Sequence, residues 1–238
     1  MTTIKHDRLK PWVREEIVPF SPKKSILQAA NHYKDAQSAW DAWTVPDELL
    51  CALIKTNSSR NDLIRCSCDL ASVALRILQA HRIDVRIFHF GIAFAKQCAN
   101  QPSYYKMLDY VSEILVVMQE AINGIKKPLA ARYAARTLFK AVRSVEGRSP
   151  ILEIPFLAQR AILAATHPEI GGLPLPKQLL PGVDNTRLNE KTIRAWQCKR
   201  IRKFFSERPV YREPEKSEGQ NETVTTLFGQ LLPIKLVR

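Results

Sequence analysis

The side chains best suited to chemistry are five cysteines and five histidines, scattered through 238 residues. Cys66 and Cys68 form a Cys-x-Cys pair. Structural zinc sites use a C-x₂₋₄-C pair with a second pair elsewhere. On a helix, residues two apart point about 200° away from each other, so these two thiols cannot grip one ion. They read as core cysteines, and no metal ligand is assigned. With Cys51, Cys98 and Cys198 they make an odd set lying in apolar helical patterns. That usage points to reduced, buried thiols of a cytoplasmic protein. His6, His32, His81, His89 and His167 share no motif with a nucleophile. His89, between Phe88 and Phe90, reads as a partly buried, hydrogen-bonded histidine. No G-x-S-x-G, phosphate loop, dinucleotide fingerprint or H-E-x-x-H occurs, so no catalytic residue and no cofactor is assigned. Gly171-Gly172 follows a helix end and precedes proline-rich chain, which makes it a loop and not a phosphate cradle.

Carboxylates cluster at Asp35 and Asp41, and at Asp109, Glu113 and Glu120. Asp109 and Glu113 are four apart and share a helix face, a spacing that can bind a cation or do acid–base work. The simpler reading is a solvated face, or a partner for a basic neighbour.

Basic residues are more informative. Arg132, Arg136, Lys140 and Arg143 recur every three or four residues and form one helical stripe. Like charges so spaced repel by a few tenths of a kcal/mol each. Two compensations are open: the acidic face of the preceding helix, with Glu113 and Glu120 meeting Arg136 and Arg132, or an external anion. The stronger group spans residues 187–212, with nine Lys/Arg against two acids, a net of +7. Arg194, Lys199, Arg200, Arg202 and Lys203 are its candidate partner-binding residues. Trp196, Phe204 and Phe205 are interleaved with them. A basic amphipathic helix can bind an acidic protein or nucleic acid, or it can pack by its apolar face with its charges in water. Membrane binding is not expected, because the aromatics are needed inside.

The elements that must position these residues are helices. Only 8 of the residues are glycine, and of 15 prolines none falls between Pro46 and Pro102. Strands need turn signals every 8–12 residues, whereas long apolar-periodic segments without them are helical. The pattern predicts an all-α fold, a single helical domain of seven or eight helices. Their spans are about 22–43, 46–55, 59–80, 84–99, 103–124, 128–147, 152–165 and 189–206. Ser59 and Asn189 are placed as N-caps. Residues 168–186 read as a long loop. Residues 1–20 are expected to be an extended N-terminal arm and 21–206 the helical domain. Residues 207–238 read as a polar linker followed by an apolar C-terminal segment that docks on the body.

A net charge of +13, with 45% hydrophobic and 25% charged residues, is compatible with an ordinary globular protein and excludes collagenous or wholly disordered chains. The longest strongly apolar run, residues 114–118, is far shorter than the roughly 20 residues that span a bilayer. No signal-peptide pattern occupies the first twenty residues, and a cytoplasmic location is expected.

Three landmarks carry a resemblance: residues 39–43 (Ala-Trp-Asp-Ala-Trp), residues 62–68 with Arg65, Cys66 and Cys68, and residues 195–205 with Trp196, Gln197, Arg200, Arg202 and Phe204. Together the chain resembles a loose bacterial group of Ala-rich all-helical proteins labelled immunity proteins of polymorphic toxin systems. In that group an Arg-Pro element precedes the fourth helix, whereas this chain reads His81-Arg82-Ile83-Asp84. The resemblance implies an all-α body and a protein-binding role, and it transfers no catalytic residue. Two main classes of function compete: a non-enzymatic module that binds and neutralises a partner protein with an acidic surface, and a nucleic-acid-binding protein using the helix at 187–206. A helical enzyme is a third.

Overall fold

The computed structural model describes residues 10, 28, 30–101, 107–167 and 178–207. Every regular element among them is helical. In chain order they are α1 (Ala36–Ala42), α2 (Pro46–Lys55), α3 (Arg60–Ala80), α4 (Arg86–Cys98), α5 (Leu108–Gly124), α6 (Leu129–Arg143), a 3₁₀ turn (Ser149–Glu153), α7 (Ile154–Thr166), a second 3₁₀ turn (Asn185–Arg187) and α8 (Glu190–Phe204). The fold is all-α, as the absence of turn punctuation requires. No described helix is long and apolar enough to cross a membrane. Apart from Lys10 and Glu207, the expected terminal arms and docking segment lie outside the described residues, as do Gly171 and Gly172.

The centre is α3. It buries Leu63, Ile64, Leu70, Ile77 and Leu78 along with both Cys66 and Cys68, and it packs against α4, α6, α7 and α8. Against it lies α6, whose inner face is made small by Ala130, Ala131, Ala134, Ala135 and Ala141. Alanine keeps helix propensity high and lets two helix backbones approach closely. Gly91 does the same for α4: a Cβ there would fall 2.9 Å from Met118 Sδ and 3.0 Å from Val142 Cγ2. In this close-packed interior lie Cys66, Cys68, Cys98 and Cys198. Burial raises the Cys68 thiol to about 12 and the Cys198 thiol to about 11. Cys51 is half-buried, unlike the other four.

The segment expected as one helix over 22–43 is interrupted. The chain turns at 31–35, and Asp35 caps α1 by accepting from the Ser38 amide at 2.7 Å. Asp and Asn compete with the helical ladder through local backbone bonds, and here a cap wins over a continuing turn. The helix expected over 128–147 stops at Arg143, and residues 149–153 form a 3₁₀ turn leading into α7.

Two helices end in Schellman motifs built without glycine. After α2, Asn57 adopts φ 58° while the Ser58 amide donates to Leu53 O at 3.0 Å. After α3, Arg82 adopts φ 56°, the Ile83 amide donates to Leu78 O at 3.0 Å and the Arg82 amide to Gln79 O at 2.9 Å. An arginine in the left-handed region is strained, and glycine is not. Arg82→Gly is therefore expected to stabilise the fold by about 0.5–1 kcal/mol, read as a melting temperature about 1–4 °C higher; an unchanged or lower value contradicts the assignment.

The residue before it, His81, is buried, and neither ring nitrogen has a hydrogen-bond partner among the described residues. Burial holds its pKa below the ordinary 6.5. The unfolded chain takes up this proton as pH falls through 6.5 and the folded chain does so later, so stability present above 6.5 is lost below it. Between about pH 7.5 and about pH 5.5 the wild-type melting temperature should fall further than that of His81→Leu. Equal falls would contradict this.

Candidate functional site

The candidate residues lie on two helices, and their environments separate them. In α8 the start is defined by a reciprocal cap: Asn189 Oδ1 accepts from the Thr192 amide and Thr192 Oγ1 accepts from the Asn189 amide, each at 3.0 Å. Glu190 lies in the first turn and Arg202 and Lys203 in the last, each sign matched to the helix dipole. Ile193, Trp196, Gln197, Cys198 and Ile201 are buried, and the helix packs on α2, α3 and α7. Gln197 Nε2 donates to Pro155 O of α7 at 2.8 Å.

Two of the five candidates on α8 are turned into the fold. Arg200 pairs with Asp69 of α3 at 3.1 Å, with both side chains about a quarter exposed, and its guanidinium lies 5.4 Å from the centre of the Trp196 ring. Arg202 donates to the backbone oxygens of Trp40 and Trp43 at the end of α1. The remaining cations face out. Arg194 makes a loose ion pair with Glu190 at 3.7 Å. Lys191, Ala195, Lys199 and Lys203 recur every four residues as an exposed stripe.

Beside that stripe runs a groove of about 740 Å³ between residues 178–187 and α8. Trp196 and Ala195 line it along with Arg187 and Lys199. Among the described lining residues the one carboxylate is Asp184, which accepts from the Thr186 amide at 3.0 Å, and that bond holds it below the usual carboxylate range. The groove wall is held in place. Arg76 of α3 donates to Gln178 O at 3.2 Å, and the Leu179 amide donates to Asn185 Oδ1 at 2.8 Å.

The stripe on α6 divides similarly. Lys140 pairs with Glu153 at 2.6 Å, and Arg143 lies 3.6 Å from Glu146, which also accepts from Ser112 Oγ. Arg132 and Arg136 are exposed and make no ion pair with a described residue. The expected pairing of Glu113 and Glu120 with Arg136 and Arg132 does not form. Val111, Ile114, Leu115, Met118 and Ile122 claim the inner face of α5, and the acids are turned to solvent. A pocket of about 290 Å³ at the end of α6 is lined by Lys140, Arg143, Glu146 and Glu153, and these ion pairs balance its charge.

His89 is exposed, contrary to the expected partly buried position, because α4 turns Phe88, Gly91, Ile92 and Ala95 inward. Among the described residues no group of three or more His, Cys, Asp or Glu side chains is placed to hold a metal ion.

Other arginines have roles that the sequence pattern did not reveal. Arg60 donates to Val145 O beyond α6. Arg148 donates to Ile54 O at 3.3 Å and Asn57 Oδ1 at 2.8 Å at the end of α2. Their acceptors are mostly backbone oxygens, which carry no signal in sequence.

Comparison with family models, curated proteins and solved structures finds no match for this chain.

Replacing Arg202 by Gln removes charge-assisted hydrogen bonds to two carbonyls, at a cost of about 1.5–3 kcal/mol. Lys203→Gln, one residue away and exposed, should change stability by less than about 0.5 kcal/mol. Thermal melts of the two variants check this, and equal losses would refute the division of α8 into inward and outward cations.

Proposed function

We propose that this protein is a non-enzymatic helical binding module whose outward α8 face takes an acidic partner protein and neutralises it, the role implied by its resemblance to immunity-type proteins. The observation that carries this reading is the exposed stripe Lys191, Lys199 and Lys203 beside the Trp196 groove. The stripe offers ammonium groups to carboxylates. The groove offers Trp196 and Ala195 to apolar side chains, and Asp184 to a donor or cation. Protein interfaces combine an aromatic-bearing centre with a charged rim in this way. A nucleic acid backbone would use the lysines but would be repelled by Asp184 and would leave the apolar lining uncovered, so the protein partner is favoured.

The test is affinity capture from the source organism with the wild-type chain and with Lys199→Glu/Lys203→Glu, followed by identification and direct titration of the captured protein. The expected result is a partner with an acidic surface whose affinity drops at least tenfold in the variant, about 1.4 kcal/mol or more, with an unchanged melting temperature. A partner that binds both chains equally would overturn the reading. So would a tight, salt-sensitive shift of DNA or RNA at about 50 mM salt that is lost in the variant.

A further inference from the structure

The carboxylates and guanidiniums that fail to meet within the chain lie on two exposed faces with matching composition. On α5, Asp109, Glu113 and Glu120 share one outward arc of about 120° with Tyr110, Val116 and Val117. Those three apolar side chains are 59%, 59% and 47% exposed. None of the three acids has an ion-pair partner among the described residues. The second face is basic. Arg132 and Arg136 stand on the outer side of α6 with Leu129, 46% exposed. Beside α6, and packed like it on α3, α7 exposes Phe156 at 53%, with the Arg160 guanidinium 5.2 Å from its ring centre. The Lys140–Glu153 ion pair ties the end of α6 to the turn that starts α7, and the two helices pack on each other. One face therefore presents three carboxylates around apolar side chains, and the other presents three guanidiniums around apolar side chains.

We infer that these faces take each other, so that the α5 face of one copy docks on the α6–α7 face of a second copy. The contact is heterologous. Each copy keeps one face of each kind free for a further copy, and association extends head to tail unless the geometry closes a ring. The 17 residues of α5 span about 25 Å, and a face one helix wide over that length covers only a few hundred Å² per copy. That is the low end for a specific interface, so the association is weak and concentration-dependent. The inference uses a different surface from the α8 stripe, and its failure would leave the proposed function standing.

The test is the mass of the full chain by sedimentation equilibrium from about 5 µM to about 300 µM, a range suited to micromolar contacts. The mass should rise above 27.1 kDa with concentration. Arg132→Gln/Arg136→Gln should hold it near 27.1 kDa, even though this variant has less net positive charge to keep copies apart. Glu113→Gln/Glu120→Gln should do the same. Mixing the two variants restores one intact pair of faces and should restore association. All four substitutions are at exposed positions, and circular dichroism melts confirm that each variant is folded. A wild-type chain that stays at 27.1 kDa throughout overturns the inference. Association that survives either double variant, or that the mixture fails to restore, overturns it as well.

Discussion

The ends of α1 and α2, and the turn beyond α6, close on guanidinium groups brought from far along the chain. An α-helix leaves its last four carbonyls without intrahelical donors, and glycine-based caps are the usual remedy. Here α2 and α3 close with Asn57 and Arg82 in place of glycine, and distant arginines supply further donors. Arg202 serves the end of α1, Arg148 the end of α2 and Arg60 the chain just beyond α6. The first of these ties spans 162 residues and the other two 94 and 85. Each sets a positive charge against the negative end of a helix dipole. With Arg202 anchored on Trp40 and Trp43 and Arg200 on Asp69, α8 is fixed in rotation about its own axis. That rotation leaves Lys191, Lys199 and Lys203 facing water and places Trp196 along the groove.

The formal charge of +13 takes on a different meaning in this light. A count of cations over residues 187–212 suggests one uniform basic patch. The structure divides the described part of it by position on the helix. Arg200 and Arg202, whose planar forks can satisfy several oxygens at once, point inward, whereas Arg187, Arg194 and the lysines remain at the surface. Across the molecule Arg60 and Arg148 repeat the inward pattern, and Arg76, though exposed, donates to the Gln178 carbonyl. Part of the arginine complement is thus structural, and the surface on α8 that can meet a partner is smaller than composition implies.

Legibility in the sequence followed the range of the interaction. The apolar rhythm of α3 and α5 and the caps at Ser59 and Asn189 depend on residues three or four apart, and those elements end where periodicity puts them, whereas α6 stops four residues early. The interruption at 31–35 was hidden because a capping aspartate looks like any polar helical residue until its backbone bond is seen. The left-handed arginine at 82 had no glycine to mark it. The acidic face of α5 and the basic stripe of α6 were both visible, but their relation was not: two adjacent antiparallel helices can still turn like-sized charged faces away from each other. The candidate site was legible as a charged helix. Its division into fold-holding and outward cations was not, because the partners of Arg200 and Arg202 lie 131 or more positions away, and those of Arg202 are backbone oxygens.

The account stands on one division, between guanidiniums held by the fold and cations left in water. Side-chain NMR reads it directly through exchange of the arginine Nε–H protons with solvent. Arg202, whose Nε–H donates to Trp40 O, should exchange many times more slowly than Arg132 and Arg136. Exchange of Arg202 at the same rate as those two would contradict the account.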